Sequence, residues 1–365
     1  MKIEKLLENY NSYLCPPGSG VFTVNTAKEH KESLQKHLYG ESDDYQKSWS
    51  SKLNEVHNIE GALILGIASD CGGGIQRGAN WGPLYLRNQL IENYKDLNYY
   101  DLGDIRVIPH LLHDKYLNDE TLKSCKDALY GNKDSSLPVS PLSIAEKCCD
   151  DTYDTLNNIG IFSIGGDHSV SYPIVKSWLK SKKDKGIKAG LIHFDAHTDL
   201  LVTRLGIDLC FGSWLTHVLD GLEKREHCYQ FGIRSTGKER NHWENTFGIN
   251  QYWTSEVKEI GPKGLSEKVI KELKEEGIEE LYISFDIDAL DSKYASATGT
   301  PEHDGLEPHE CVIIIDALAN EFKITGGDMV EIAPRIGDEE SSKKTLECGS
   351  IVSARIIEAI NNAYS

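Results

Sequence analysis

Short apolar runs at residues 62–67, 160–164, 189–194, 228–233, 280–285 and 323–330 recur along this chain, with amphipathic stretches long enough for helices between them. Strand-length runs that are apolar at successive positions belong in a sheet buried on both faces, and their alternation with helices makes that sheet mostly parallel. The helix candidates fall at 83–95, 141–157, 171–182, 213–223, 264–276, 308–320 and 348–362, two of them opened by Pro83 and Pro308 at the first helical position. Residues 1–58 are polar, with helical stretches at 26–38 and 44–57, and read as a helical extension ahead of a main domain at 59–365. The polar segment 102–140 reads as an irregular surface excursion. Neither a repeat nor a Gly/Ser/Pro linker divides the main fold, which favours one domain.

The 365 residues carry 57 acidic against 39 basic side chains, a net charge of −18. That balance disfavours nucleic acid and anionic membrane as partners and leans toward cationic ligands. The nine cysteines include no Cys-x-x-Cys pair and only one adjacent pair, Cys148 and Cys149, which suits free thiols in a reducing compartment better than a disulfide frame or a zinc ribbon. The start, Met1-Lys2-Ile3-Glu4-Lys5-Leu6-Leu7, has no apolar core behind it, and no apolar run is long enough to span a bilayer; a cytoplasmic location is the expectation.

Polar clusters directly follow four of the apolar runs. Gly165-Gly166-Asp167-His168-Ser169 follows the second, Asp195, His197 and Asp199 the third, Asp286 and Asp288 the fifth, and Glu331 the last. Open parallel sheets gather their ligands beyond the carboxyl ends of the strands, where these clusters fall. Residues two apart on an extended backbone face the same way, so each cluster presents its polar groups as a set. Two imidazoles and four carboxylates, with no thiolate among them, suit two octahedral-leaning ions such as Mn²⁺ better than one tetrahedral zinc. Two ions about 3.5–4 Å apart bring water to hydroxide near neutral pH, a nucleophile that needs no serine or cysteine. With a hydroxide and Glu331 added, the pocket would carry about −2, a setting for a cationic substrate.

The strings Gly165-Gly166-Asp167-His168-Ser169, Asp195-Ala196-His197-Thr198-Asp199 and Ser284-Phe285-Asp286-Ile287-Asp288-Ala289-Leu290-Asp291 resemble the three signature motifs of the ureohydrolases, the family of arginase, agmatinase, guanidino-acid hydrolases and formimidoylglutamase. The Gly-rich stretch from Asp70 to Gln89 and the turn Ala297-Thr298-Gly299-Thr300-Pro301 are similar to two further family segments, and the resemblance covers residues 60–362. It implies an α/β fold, a three-layer αβα sandwich around a mostly parallel central sheet. It also implies that His168, Asp195, Asp199 and Asp286 bind one Mn²⁺ and His197, Asp195, Asp286 and Asp288 the other, with Asp195 and Asp286 shared. Ni²⁺, Co²⁺ or Fe²⁺ would suit the same donors. Asp199 and Glu331 would be catalytic, Asp199 by accepting a hydrogen bond from hydroxide and passing a proton to the leaving amine, Glu331 by gripping the guanidinium, with Thr300 lining the pocket. The implied activity is hydrolysis of a carbon–nitrogen bond in a small guanidino or amidine compound, and the implied assembly a homo-oligomer, trimer or hexamer. A formimidoylglutamase-type hydrolase and a metal-binding but noncatalytic homologue are the alternatives, while one-zinc deacetylases share the fold without this ligand set.

Departures from the family pattern bear on substrate and mechanism. Arginases and agmatinases carry a His-Gly pair about a dozen residues past the second motif, where this chain has Phe211-Gly212. His217 lies nearby and is the candidate to stand in for that histidine at the substrate. The residues with which arginases hold their substrate's amino-acid end are replaced by Leu200-Leu201-Val202-Thr203-Arg204 and Arg234-Ser235-Thr236-Gly237, so arginine is a poor substrate candidate. The apolar stretch Leu200-Leu201-Val202 suits sealing in a small guanidine or lining an alkyl tail, whereas Arg204 or Arg234 suits the carboxylate of a guanidino acid or of formimidoylglutamate, and the sequence leaves both open. Among the other polar residues, Asp208, Asp291 and Asp328 read as turn or cap residues and Asp167 as a group that fixes its loop. His193 fits either a satisfied core histidine or a support for a ligand, and His303 and His309 read as surface residues; Trp214 and Trp243 fit ordinary packing or a wall of the pocket, and Cys210 reads as a buried inert thiol in preference to a reactive one.

Overall fold

A computed structural model describes residues 2–21 and 25–365. Its strands are β1 (Leu14–Cys15), β2 (Gly61–Gly66), β3 (Tyr100–Ile105), β4 (Ile159–Ile164), β5 (Ala189–Phe194), β6 (Cys228–Ile233), β7 (Asn250–Trp253), β8 (Glu280–Asp286) and β9 (Lys323–Val330). They form one sheet in the order β1-β3-β2-β4-β9-β8-β5-β6-β7, parallel throughout except at the antiparallel β1 edge. The helices are α1 (Ile3–Tyr13), α2 (Lys28–Tyr39), α3 (Tyr45–Leu53), α4 (Gly82–Asn93), α5 (Asp119–Tyr130), α6 (Pro141–Tyr153), α7 (Ser171–Asp184), α8 (Arg240–Phe247), α9 (Thr254–Ile260), α10 (Pro262–Glu275), α11 (Pro308–Ala319) and α12 (Glu339–Ala363).

Alternate strand residues divide between two cores, as the period of two requires. Leu63, Leu65, Ile161 and Leu191 point to the side covered by α1, α3, α6 and α7; Ile64, Phe162, Ile192, Phe194 and Phe285 point to the side of α4, α10, α11 and α12. The result is the three-layer αβα sandwich expected, and it explains why the strands read as continuous apolar runs. None of the helices formed by the described residues is long and apolar enough to cross a membrane.

The register of the four central strands positions the chemistry. Phe194 of β5 pairs with Phe285 of β8, Asp286 with Val330 of β9, and Met329 with Ile164 of β4. The residues that follow these partners therefore emerge side by side at the carboxyl edge of the sheet. Beta-strands β4 and β5, successive in the chain, are held apart by β9 and β8, so loops leaving on both sides converge on the gap.

Three expectations need correction. Residues 213–223 form two short 3₁₀ turns, Trp214–His217 and Leu219–Gly221, instead of an α-helix. Ser213 Oγ accepts from Cys210 N and donates to Asp208 O, and Thr216 Oγ1 donates to Ser213 O; such local side-chain bonds compete with a helical ladder. Within and beside the segment 102–140 lie β3 and α5, so it is not irregular. The last helix begins at Glu339, nine residues ahead of the periodic stretch at 348–362. The leading residues also join the sheet through β1, which pairs Leu14 with Ile105 and Cys15 with Asp104.

Strand β3 hid from the sequence because its charges face inward. Arg87 of α4, fully buried, donates from Nε and Nη2 to both oxygens of Asp101 and from Nη1 to Asp104 Oδ1 at 2.6 Å. Asp104 Oδ2 also accepts from Gly20 N, which fastens the leading segment to the same cluster. Arg87→Ala leaves two buried carboxylates without their cation and is expected to cost about 3–5 kcal/mol, read as a fall in the denaturant midpoint. Arg355→Ala, at a half-exposed pair with Asp316 and Glu358, is expected to cost about 1 kcal/mol or less.

Candidate metal centre

Beyond the carboxyl end of β4 the chain turns through Gly165 and Gly166. A Cβ on Gly166 would lie 1.7 Å from the carbonyl oxygen of Ser69, so only glycine lets this turn press against the end of β2. Asp167 then accepts from Ser169 N and from Gly72 N, lacing the Gly-rich loop after β2 to the turn, as the sequence reading had it fix its loop. Asp70 holds the rest of that loop by accepting from Gly78 N and Ala79 N. His168 follows, buried, with its ring directed across the sheet edge.

Around His168 the register produces the first pocket. Nδ1 stands 3.2 Å from Asp195 Oδ2, 3.0 Å from Asp199 Oδ2 and 3.1 Å from Asp286 Oδ2, yet has no hydrogen-bond partner. Its other nitrogen explains why. Ser284 Oγ gives its proton to Asp328 Oδ1, so it accepts from His168 Nε2–H at 3.1 Å, and Nδ1 is left as a bare lone pair. One nitrogen and three carboxylate oxygens converging on a buried point is a donor set for a divalent cation.

A second pocket adjoins it. His197 Nδ1 lies 3.4 Å from Asp195 Oδ1 and 3.2 Å from Asp288 Oδ2, while its Nε2 faces Glu302 at 3.5 Å. Asp195 thus turns one oxygen to each pocket. Asp286 offers Oδ2 to the first pocket and takes the backbone N–H of Asp288 on Oδ1. Burial and the charges of Asp288 and Asp195 push Asp286 well above the ordinary carboxylate range. Acids crowded like this cannot all ionise without a cation among them, so donor type, orientation and charge all fit a pair of divalent ions.

Glu331 leaves β9 in a left-handed conformation, φ 62°, and Asp199 adopts φ 51°; neither is glycine. Backbone held in this region without glycine marks places where the surroundings over-determine the chain. Glu331 Oε1 accepts from His168 N at 2.9 Å, and burial with the charges of Asp286 and Asp167 raises its pKa well above the usual range. Thr300 Oγ1 donates to Asp288 Oδ2 at 2.9 Å, so its hydroxyl is engaged by a pocket carboxylate.

The remaining candidates are arranged as follows. His217 Nε2 bonds the Asp208 carbonyl and its ring packs on Tyr172. Arg204 lies with its guanidinium 4.8 Å from the centre of the Phe211 ring, at the base of a tight hairpin closed by Leu205 and Gly206, both at positive φ. Phe211 in turn lies against Gly74 of the Gly-rich loop. Arg234 is consumed elsewhere, donating to the carbonyls of Gly232, Asp288, Ala289, Leu290, Glu302 and His303. Asp291 caps its turn through Lys293 N and Gly305 N, and His303 and His309 are exposed, as expected. Trp243 bonds Thr236 and stacks on Phe247.

Asp328 is no turn residue. It lies inside β9, fully buried, and accepts from Tyr282 OH as well as from Ser284. His193 bonds Asp195 Oδ2 at 3.0 Å and is held in turn by Gln230, which settles it as a support for a pocket carboxylate. Glu302 and Trp214 also reach the pockets, and sequence reasoning missed both roles. Position next to Thr300-Pro301 was the available signal for Glu302; for Trp214, nearness to Phe211 pointed to a pocket wall, and nothing in the string pointed to its bond with Asp199.

These two pockets define a metal-dependent hydrolase. The sequence profile of the arginase family matches residues 60–357, and the chain belongs to that family. It is 31% identical over 288 residues to the agmatinase of Bacillus anthracis, an alignment covering 74% of this chain and 83% of that protein. With the human mitochondrial guanidino acid hydrolase the identity is 28% over 292 residues, covering 75% and 71% of the two chains. Among solved structures, the formimidoylglutamase of Bacillus subtilis superposes with a TM-score of 0.66 at 19% identity, covering 83% of this chain and 88% of its own, a likeness of fold. The protein is accordingly a hydrolase of carbon–nitrogen bonds in guanidino or amidine compounds.

Because Asp195 serves both pockets, Asp195→Ala is expected to abolish retention of divalent metal altogether. His197→Ala should keep the ion at the His168 pocket, and elemental analysis per chain after loading and gel filtration separates the two outcomes.

Proposed function

We propose that the chain hydrolyses a guanidino carboxylic acid to urea and an amino acid, with Mn²⁺ at both pockets. The observation that carries this reading is the bare Nδ1 of His168 among three carboxylates, with Glu331 tied to the same histidine's backbone. Preference for an acid over an amine tail is supported by Arg204, which stacks on Phe211 and forms no ion pair with a carboxylate among the described residues. The oxygen-rich donor set favours Mn²⁺ over softer ions, and the free thiols suit a cytoplasmic setting. A trimeric or hexameric assembly belongs to the same reading.

Divalent cations, when bound, supply hydroxide near neutral pH and a Lewis acid for developing negative charge. The chain's own residues supply the rest. Glu331 places negative charge where a guanidinium would lie and orients its carbon. Asp199 Oδ1 accepts no hydrogen bond among the described residues and is free to take a proton from water and return it to the departing amine. Thr300 and His193 hold Asp288 and Asp195 in place. Arg204 takes the substrate's carboxylate, and Phe211 forms an apolar wall for the alkyl chain between.

The test is a panel of 4-guanidinobutyrate, 3-guanidinopropionate, agmatine, guanidine and formimidoylglutamate, with urea and formamide measured on Mn²⁺-loaded protein. Urea from the guanidino acids is expected, with kcat/KM about tenfold or more above agmatine, the worth of one charge-assisted hydrogen bond. Arg204→Ala should raise KM for the acids about tenfold and leave agmatine unchanged. Formamide from formimidoylglutamate would instead favour the amidine reading, which Arg204 serves equally. Binding of guanidino acids without turnover would mark a noncatalytic homologue, the reading that Phe211 motivates.

A further inference from the structure

Phe211 stands where the family resemblance leads one to expect a histidine, and the loop that carries it brings a different side chain to the pocket. Trp214, fully buried, donates from Nε1 to Asp199 Oδ2 at 2.8 Å. Its ring centre lies 4.8 Å from that of His168 at an interplanar angle of 33°, and 5.3 Å from that of His193 at 80°. The bonded oxygen is the one that stands 3.0 Å from His168 Nδ1, so the indole holds Asp199 by its pocket-facing atom. The loop itself is fixed at three points: Leu201 N bonds Gly212 O, Phe211 N bonds Gly72 O, and Ser213 Oγ accepts from Cys210 N.

We propose that Trp214 is the positioning residue of the first pocket, setting the orientation of Asp199 through the indole N–H while its ring braces His168. Asp199 is a short side chain on a left-handed backbone, and with Oδ2 pinned, rotation about its Cβ–Cγ bond is removed. Oδ1, which accepts no hydrogen bond among the described residues, is then held in one orientation and left open to exchange a proton with water and the leaving amine. One neutral donor thereby orders both a ligand atom and a base atom of the same carboxylate. The part of this role that concerns proton transfer rests on the hydrolytic function proposed above; the part that concerns metal affinity does not.

Trp214→Phe keeps an aromatic ring over His168 and deletes the donor. By calorimetry, the affinity for one of the two Mn²⁺ ions is expected to fall about 10–100-fold, with the other ion unaffected. On a substrate that turns over, kcat should fall about tenfold or more with KM within twofold, since the group lost acts on the reacting centre and not on the bound tail. A variant that folds and binds both ions as the parent does would overturn the assignment. If wild-type protein turns over no guanidino compound, the calorimetric arm still decides the role of Trp214. Should the variant fail to fold, indole ¹⁵N labelling of the wild-type protein gives the answer: one of the six tryptophan N–H resonances should shift on Zn²⁺ binding, and no response from any of them sinks the proposal.

Discussion

Crowding of negative charge around His168 Nδ1 is the constraint on which the rest of the molecule depends. Carboxylate oxygens from Asp195, Asp199 and Asp286 within about 3 Å of one buried nitrogen repel one another unless a cation shares the space. Bringing them together takes strands of matched register, because His168 follows β4, Asp195 and Asp199 follow β5, and Asp286 ends β8, positions far apart in sequence. The sheet can hold them only if both faces are sealed, and the two apolar cores do that. Fold and site are therefore one design problem, in which hydrophobic burial supplies the free energy that electrostatic crowding consumes.

What was legible in the sequence follows from this. Six strands announced themselves because burial on both faces makes them mostly apolar, and the pocket residues stood out because they fall together at the ends of those runs. The elements that escaped notice are the ones whose polar groups are satisfied by distant partners. Strand β3 carries Asp101 and Asp104 inward to Arg87, and β7 buries Gln251 against Gln230. Asp328 read as a turn residue for the same reason, since nothing in a linear string shows that Tyr282 and Ser284 will meet it from the next strand. Arg234 looked like a candidate for substrate and turned out to organise carbonyls. Motif spacing names atoms that gather at a strand edge; it is silent about the side chains that hold them still.

The leading residues illustrate how far such support extends. Helix α1 docks through Asn9 and Tyr13 on Asp151 and through Tyr10 on Thr152 of α6, and Gly20 reaches the Arg87 cluster at the head of the sheet. Helix α4, which carries Arg87, begins where the Gly-rich loop ends. Polar contacts made outside the family match thus bear on a loop that borders the metal pockets.

The clamp made by Arg234 gives the two pockets unequal mechanical stiffness. One guanidinium ties the backbone of Asp288 to that of Glu302, so the His197 side is riveted to β6 and β8. The His168 side relies on Asp199, whose anchor hangs on short 3₁₀ turns without a ladder of their own. Short turns in general open locally at a smaller free energy than a central sheet does. Gentle depletion of the protein should accordingly pass through a half-loaded species that keeps its last ion at the riveted side.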